Sequence, residues 1–210
     1  MIIEAKPGKG DKIHISVDGE YRFTVDSDFW YSGKFYRETE LADKALIDEF
    51  YLSIGSRHAF LQGLRLLSYS DKSKRELKFK LRQKGNRDEW IDNAIALLEN
   101  LGYINEKRYA RNVSEGLIEK KHLSKYALTM ELKMKGIPDK IINEVLGELE
   151  FDSGADIALL LDTKYSRYLG DEKGIRKTIA ALQRLGYGFG EIKRELEKRI
   201  KELEDEEAAF

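Results

Sequence analysis

Cysteine is absent from all 210 residues, which excludes a disulfide framework and thiolate metal sites. Only two prolines occur, so long helices can run uninterrupted, because proline removes an amide donor and clashes with the preceding turn. No apolar run approaches the roughly 20 residues that a membrane-spanning helix needs. The start, Met1-Ile2-Ile3-Glu4, places an acid where a secretion signal needs basic and then apolar residues, so a cytoplasmic protein is expected. His14, His58 and His122 are scattered, and none has a second histidine at metal-ligand spacing. A nucleophile elbow and a phosphate loop with its lysine and hydroxyl are both missing. The segment Gly186-Tyr187-Gly188-Phe189-Gly190 is glycine-rich, but it lacks dinucleotide-binding spacing and reads as a flexible turn between helices. No catalytic constellation stands out, and neither a cofactor nor a metal is expected.

What is present is a repeat. Ser73-Lys74, Leu77, Leu81, Lys84-Gly85, Asp88, Ile91 and Ile95 recur 51 positions later as Ser124-Lys125, Leu128, Leu132, Lys135-Gly136, Asp139, Ile142 and Leu146. A weaker third copy follows at a spacing of 50, with Leu182, Gly186, Ile192 and Leu196 under Leu132, Gly136, Ile142 and Leu146. A fixed period of this size means that one supersecondary unit has been stacked. It differs from the tetratricopeptide and ankyrin periods of about 33–34 residues.

Within each copy the leucines at i and i+4 line one buried helix face. Ser73 and Ser124 stand where an N-cap side chain accepts the first free amides. Gly85, Gly136 and Gly186 stand where a left-handed residue ends a helix. The spacing predicts helices over 56–69, 73–84 and 87–101, then 105–121, 124–135 and 138–149, then 153–169, 173–185 and 189–205.

Before the repeats the period is two. Ile13, Ile15 and Val17 alternate with polar residues, as do Tyr21, Phe23 and Val25, around an Asp18-Gly19 turn. A strict two-residue turn would set Ile15 against Arg22; a longer loop or a bulge sets Ile15 against Phe23 and Val17 against Tyr21, giving one apolar face. A short strand over Ile2–Ala5 can join, and a helix over Leu41–Leu52 is expected to cover the sheet. The expected fold is mainly α: a small N-terminal β-sheet with its helix over 1–55, then three three-helix repeats over 56–102, 103–150 and 151–210 in an elongated, curved array.

Net charge is −1, unevenly placed. Residues 1–55 carry −4, residues 56–150 carry +5 and residues 151–210 carry −2. Such asymmetry points to an anionic partner for the first two repeats. The middle helix of repeat 1 holds Lys72, Lys74, Arg75, Lys78, Lys80, Arg82 and Lys84 against one acid, Glu76. Lys74, Lys78 and Arg82 recur at i+4 and form a stripe about 100° around the helix from Leu77 and Leu81. Like charges at this spacing repel by a few tenths of a kcal/mol, and beyond Glu76 no acid is interleaved in the helix to relieve them.

A solvated face is the plainer reading of a basic run. Against it, Lys74, Arg82 and Lys84 recur as Lys125, Lys133 and Lys135, and they fade in the third copy. Lys74, Arg75, Lys78, Arg82, Lys84, Lys125, Lys133 and Lys135 are therefore the candidate contacts to phosphate or to an acidic protein surface. Tyr126 lies nearby, whereas Tyr103 and Tyr109 are read as core. The acidic run Glu202–Glu207 reads as a solvated tail, with folding back onto the basic repeats as the alternative.

These residues also resemble a known family. Ala59-Phe60 to Leu67, Ser73 to Gly85, Gly102-Tyr103-Ile104-Asn105-Glu106, Arg108-Tyr109-Ala110 and Ser124 to Gly136 together look like the RecX regulators of the bacterial recombinase RecA. The resemblance covers about residues 56–150, and the sheet and third repeat more loosely. Members often carry acids after the Gly-Tyr-Ile junction; Asn105 departs from that, so no carboxylate role is carried there. The resemblance implies a non-enzymatic protein that binds RecA filaments on single-stranded DNA and suppresses strand exchange and ATP hydrolysis. It also implies contact with DNA, and a monomer is expected. An autonomous DNA-binding module and a helical scaffold for another protein are the rival readings.

Overall fold

The computed structural model describes residues 1–208, with side chains described through Asp205. Three strands, β1 (Ile3–Pro7), β2 (Lys12–Val17) and β3 (Glu20–Asp26), form an antiparallel sheet in the order β1-β2-β3. Ten helices follow among the described residues: α1 (Ser27–Ser32), α2 (Lys44–Tyr69), α3 (Lys74–Gln83), α4 (Asp88–Asn100), α5 (Glu106–Lys121), α6 (Lys125–Met134), α7 (Asp139–Gly147), α8 (Ser153–Thr163), α9 (Glu172–Arg184) and α10 (Phe189–Ala208). The chain divides into two compact units, residues 1–105 and 106–210.

In the first unit the hairpin combines both registers weighed from sequence. Asp18 (φ 50°) and Gly19 (φ 83°) make a tight two-residue turn, so Val17 faces Glu20. An irregularity between Ile15 and Ser16 then restores the phase, and Ile15 faces Phe23 as expected. Tyr21 pairs with Ser16 rather than Val17 and stays exposed. The bulge lets a tight turn coexist with an apolar face of Ile13, Ile15, Val17, Phe23 and Val25, all buried.

The covering helix and the lead helix of repeat 1, expected to be separate, are one helix, α2, of 26 residues. Gly55 lies inside this helix and serves its packing. A methyl group there would overlap the Trp90 indole, so the glycine admits α4 against α2. Gly63 is similar, with an added Cβ lying 2.7 Å from Leu98 Cδ1. Phe23 meets Trp90 edge-on at 5.5 Å, so the sheet and the first repeat share one core.

The repeat signals form the local structure they suggested. Ser73 accepts the Glu76 amide at 3.1 Å, and Glu76 accepts the Ser73 amide at 3.2 Å, completing a capping box. Ser124 accepts the Ala127 amide at 3.2 Å. Gly85, Gly136 and Gly186 all have φ between 78° and 91°. Leu77, Leu81, Leu128, Leu132 and Leu182 are fully buried.

In the second unit two clusters form, one around Leu128, Leu132, Ile142 and Leu146 and one around Ile157, Leu161, Leu182 and Ile192. The lead helix of repeat 3 stops at Thr163, short of the expected 169, and a 3₁₀ turn over Ser166–Tyr168 continues the chain. The glycine-rich segment read as a flexible turn is a docked one. Ser124 donates its amide to the Leu185 carbonyl at 2.9 Å, the Tyr187 hydroxyl donates to the His122 carbonyl at 2.8 Å, and Gly186 lies against Ser124 and Ala127.

Candidate partner interface

The basic stripe forms on α3 as its spacing requires, but it is not a row of bare cations. Lys74 is 2.6 Å from Glu99, Lys78 is 2.6 Å from Asp92, and Arg82 is 2.5 Å from Asp88. All three acids lie on α4, the closing helix of the same repeat. In repeat 2 the pair recurs with Lys133 at 2.9 Å from Asp139, the positions equivalent to Arg82 and Asp88. The missing interleaved acids are thus supplied across the helix–helix contact.

The remaining candidates divide. The Lys125 ammonium sits 5.6 Å from the Phe151 ring centre, and that of Lys135 sits 5.8 Å from Tyr109. Arg75 and Lys84 are exposed, and Lys84 lines a small cleft with Gln62, Arg65, Leu66 and Tyr69. The ion pairs on α3 are partly exposed, and solvent-screened pairs of this kind contribute little to stability. An external phosphate or carboxylate can therefore displace the intramolecular acid at little expense. The helix positions the cations, and the acids of α4 face them across the helix–helix contact.

A second basic feature was invisible in the sequence. A cleft of about 650 Å³ between the sheet and α2 is lined by Lys9, Lys12, His14, Tyr21, Leu61 and Arg65 among others. It shares Gln62 and Arg65 with the cleft at Lys84. Of its two aspartates, Asp26 is taken by Arg57 at 2.6 Å. Tyr21 and Tyr69, one in each cleft, are 59% and 74% exposed. Lys9 comes from the β1–β2 loop, Lys12 from the start of β2 and Arg65 from α2, so no local run announces these three beside Lys84.

A chain of amides ties these elements together. Asn86 donates to the Leu81 carbonyl at 2.9 Å and to Gln62 Oε1 at 2.8 Å, which turns the Gln62 nitrogen toward His58 Nε2 at 2.7 Å. His58 Nδ1 lies 2.9 Å from the Thr24 amide nitrogen and 3.0 Å from its carbonyl oxygen. Thr24 thus meets Nδ1 through both main-chain groups, its amide N–H donating to that ring nitrogen and its carbonyl lying within hydrogen-bond reach of it. Burial holds the His58 pKa below its usual value, opposed by the bond to Thr24.

Of the tyrosines near the stripe, Tyr109 is buried as expected, Tyr126 is exposed, and Tyr103, read as core, is 49% exposed. Among the described residues there is no cluster of three or more His, Asp or Glu placed to hold a metal. No helix is long and apolar enough to cross a membrane among them. The acidic run near the C-terminus is helical; the side chains of Glu206 and Glu207 lie outside those described.

Residues 59–98 match the family model described as "RecX, first three-helix domain", and residues 105–146 match "RecX, second three-helix domain". A protein of Trichlorobacter lovleyi named "Regulatory protein RecX" is 31% identical over 145 residues, which span 66% of this chain and 94% of the relative. The chain belongs to the RecX family. A RecX protein of Bacillus velezensis, also named a regulatory protein, is 29% identical over 199 residues, 93% of this chain and 75% of the relative. A crystal structure of regulatory protein RecX matches with a TM-score of 0.67 over 92% of this chain and 98% of that one. At 19% identity that likeness speaks for the fold alone. The two RecX domain models fall on the first two copies of the repeat, which are also the copies that carry the paired Arg82–Asp88 and Lys133–Asp139.

Proposed function

We propose that this RecX-family chain is a non-enzymatic modulator of the RecA recombinase: it binds RecA–DNA filaments in the cytoplasm and suppresses strand exchange and ATP hydrolysis. The observation that carries this reading is the pair of RecX three-helix domains with displaceable cations on their middle helices. Lys74, Arg75, Lys78, Arg82 and Lys84 in repeat 1, with Lys125, Lys133 and Lys135 in repeat 2, are the proposed contacts to filament or DNA. A monomer that touches neighbouring recombinase subunits favours one state of the filament and shifts its conformational equilibrium toward that state. The boundaries proposed for its parts are 1–55, 56–102, 103–150 and 151–210.

The test is a titration of preformed RecA filaments on single-stranded DNA with ATP hydrolysis as the readout. Inhibition at protein levels too low to coat free DNA is the expected result. No inhibition across a full titration overturns the reading.

The twin clefts of the first unit favour one alternative, autonomous binding of single-stranded nucleic acid. Lys9, Lys12, Arg65 and Lys84 line them, with Tyr21 and Tyr69 as stacking surfaces. That alternative requires strong binding to naked strands that falls steeply with salt.

A further inference from the structure

The three copies of the middle helix act as internal controls for one another. Aligned on the shared leucines and glycines, Tyr126 of α6 corresponds to Arg75 and Arg176, Met130 to Phe79 and Ala180, and Met134 to Gln83 and Arg184. All nine positions are exposed. Repeats 1 and 3 place polar or charged residues at both ends of this face, so the three-helix unit folds without apolar residues there. Repeat 2 alone makes the whole face apolar, with Tyr126 64%, Met130 41% and Met134 64% exposed.

The spacing of i, i+4 and i+8 puts these side chains on one face, about 12 Å long at the helical rise per residue. That length spans about two turns of a partner helix, whose anchors recur at the same spacing. Methionine is unbranched and polarizable and adapts to a partner's surface. Lys125 and Lys133 border the face, Lys135 follows it, and Glu131 is the one carboxylate within α6. A basic border around an apolar stripe is complementary to an amphipathic helix that carries acids beside its apolar residues. Nucleic acid fits less well, because two methionines at the face give phosphate nothing to bind.

We infer that the outer face of α6 docks an acid-flanked amphipathic helix of the recombinase, with Tyr126, Met130 and Met134 as its apolar anchors. This rests on the recombinase being the partner, as proposed above.

The decisive variant gives repeat 2 the residues of repeat 3: Tyr126→Arg, Met130→Ala and Met134→Arg in the full chain. A second variant, Tyr126→Phe, Met130→Leu and Met134→Leu, keeps the face apolar. Binding to RecA filaments on single-stranded DNA, to naked single-stranded DNA, and self-association are measured for both. The expected result is filament binding weakened about tenfold or more in the first variant and close to wild type in the second, as loss of central apolar anchors does. Binding to naked DNA should hold or rise in the first variant, because two cations have been added.

Wild-type protein that fails to bind filaments overturns the recombinase reading and this docking with it. Wild type that binds while the first variant binds equally well overturns the docking alone. A wild-type dimer that the first variant dissolves, with filament binding unchanged, assigns the face to a second copy and overturns the docking too. If the triple variant melts below the assay temperature, Met134→Arg alone carries the test at an end of the stripe.

Discussion

The Tyr187 hydroxyl donates to the main-chain carbonyl of His122 at 2.8 Å, across 65 positions of sequence. His122 itself is a non-glycine residue at φ 52°, so the bond anchors a conformation that few side chains adopt. Beside it, Gly186 at φ 91° lies against Ser124 and Ala127, whose backbone begins α6. Repeat 3 thus seats its turn on the helix start of repeat 2.

Tyr187→Phe should therefore lower stability by about 1 kcal/mol, the net worth of a hydrogen bond to a carbonyl left without that donor. Gly186→Ala should cost about 2 kcal/mol, since it combines a strained left-handed backbone with overpacking against Ser124. Thermal melts of the two variants read both effects. A Gly186→Ala protein as stable as the parent would show that the turn is not seated as described.

Gly55→Ala inside α2 tests the close approach of Trp90. On helix propensity alone alanine gains about 1 kcal/mol over glycine. Here the added methyl overlaps the indole ring, so overpacking of about 2 kcal/mol is expected to win. The pairing Gly55→Ala with Trp90→Leu should recover part of the loss, and a denaturant midpoint series measures it.

His58 sets an acid-side limit on stability. Its folded pKa lies below the usual 6.5, mainly through burial, so the unfolded chain binds its proton first as pH falls. Stability from this residue is present above the unfolded pKa and is lost as pH drops through it toward the folded value. Protonation at Nε2 would also set N–H against the Gln62 amide nitrogen, 2.7 Å away. The melting temperature should fall from pH 7.5 to 5.5, and His58→Gln should flatten that slope. An unchanged slope in the variant sinks the assignment.

Removing the acids of α4 separates a binding stripe from a solvated one. Asp88→Asn, Asp92→Asn and Glu99→Gln remove the carboxylates that face Arg82, Lys78 and Lys74. Each lost pair should lower stability only slightly, because the pairs are solvent-exposed. Affinity for the anionic partner should rise, with a steeper salt dependence of about one unit per cation that gains a phosphate. Reversing the cations to glutamate is a poorer experiment, because it also sets like charges against α4. Unchanged affinity and salt slope in the triple variant would return the stripe to a solvated face.

Legibility differed from feature to feature. The serine caps, the left-handed glycines and the buried leucines were readable because each depends on neighbours within one helical turn. The bulge was half readable: alternation demanded that Ile15 meet Phe23, but the tight Asp18-Gly19 turn that shifts Tyr21 outward depends on backbone geometry. The helices expected over 41–52 and 56–69 proved to be one, and what Gly55 accommodates within it, the indole of Trp90, lies 35 positions away. The acids that pair with the stripe were present in the repeated motif itself, since Asp88 recurs as Asp139 together with Arg82 and Lys133. Co-recurrence of opposite charges was the available signal.

By itself the sequence determined the period, the helix stops, the basic middle helices and the RecX resemblance, because these are properties of residue type and spacing along one chain. Only the tertiary structure decided what those lysines face, which cations gather with Tyr21 and Tyr69, and that repeat 3 is pinned to repeat 2 through Tyr187 and His122. Each depends on two segments distant in sequence meeting in space. Charge and exposure belong to that meeting, not to either segment alone.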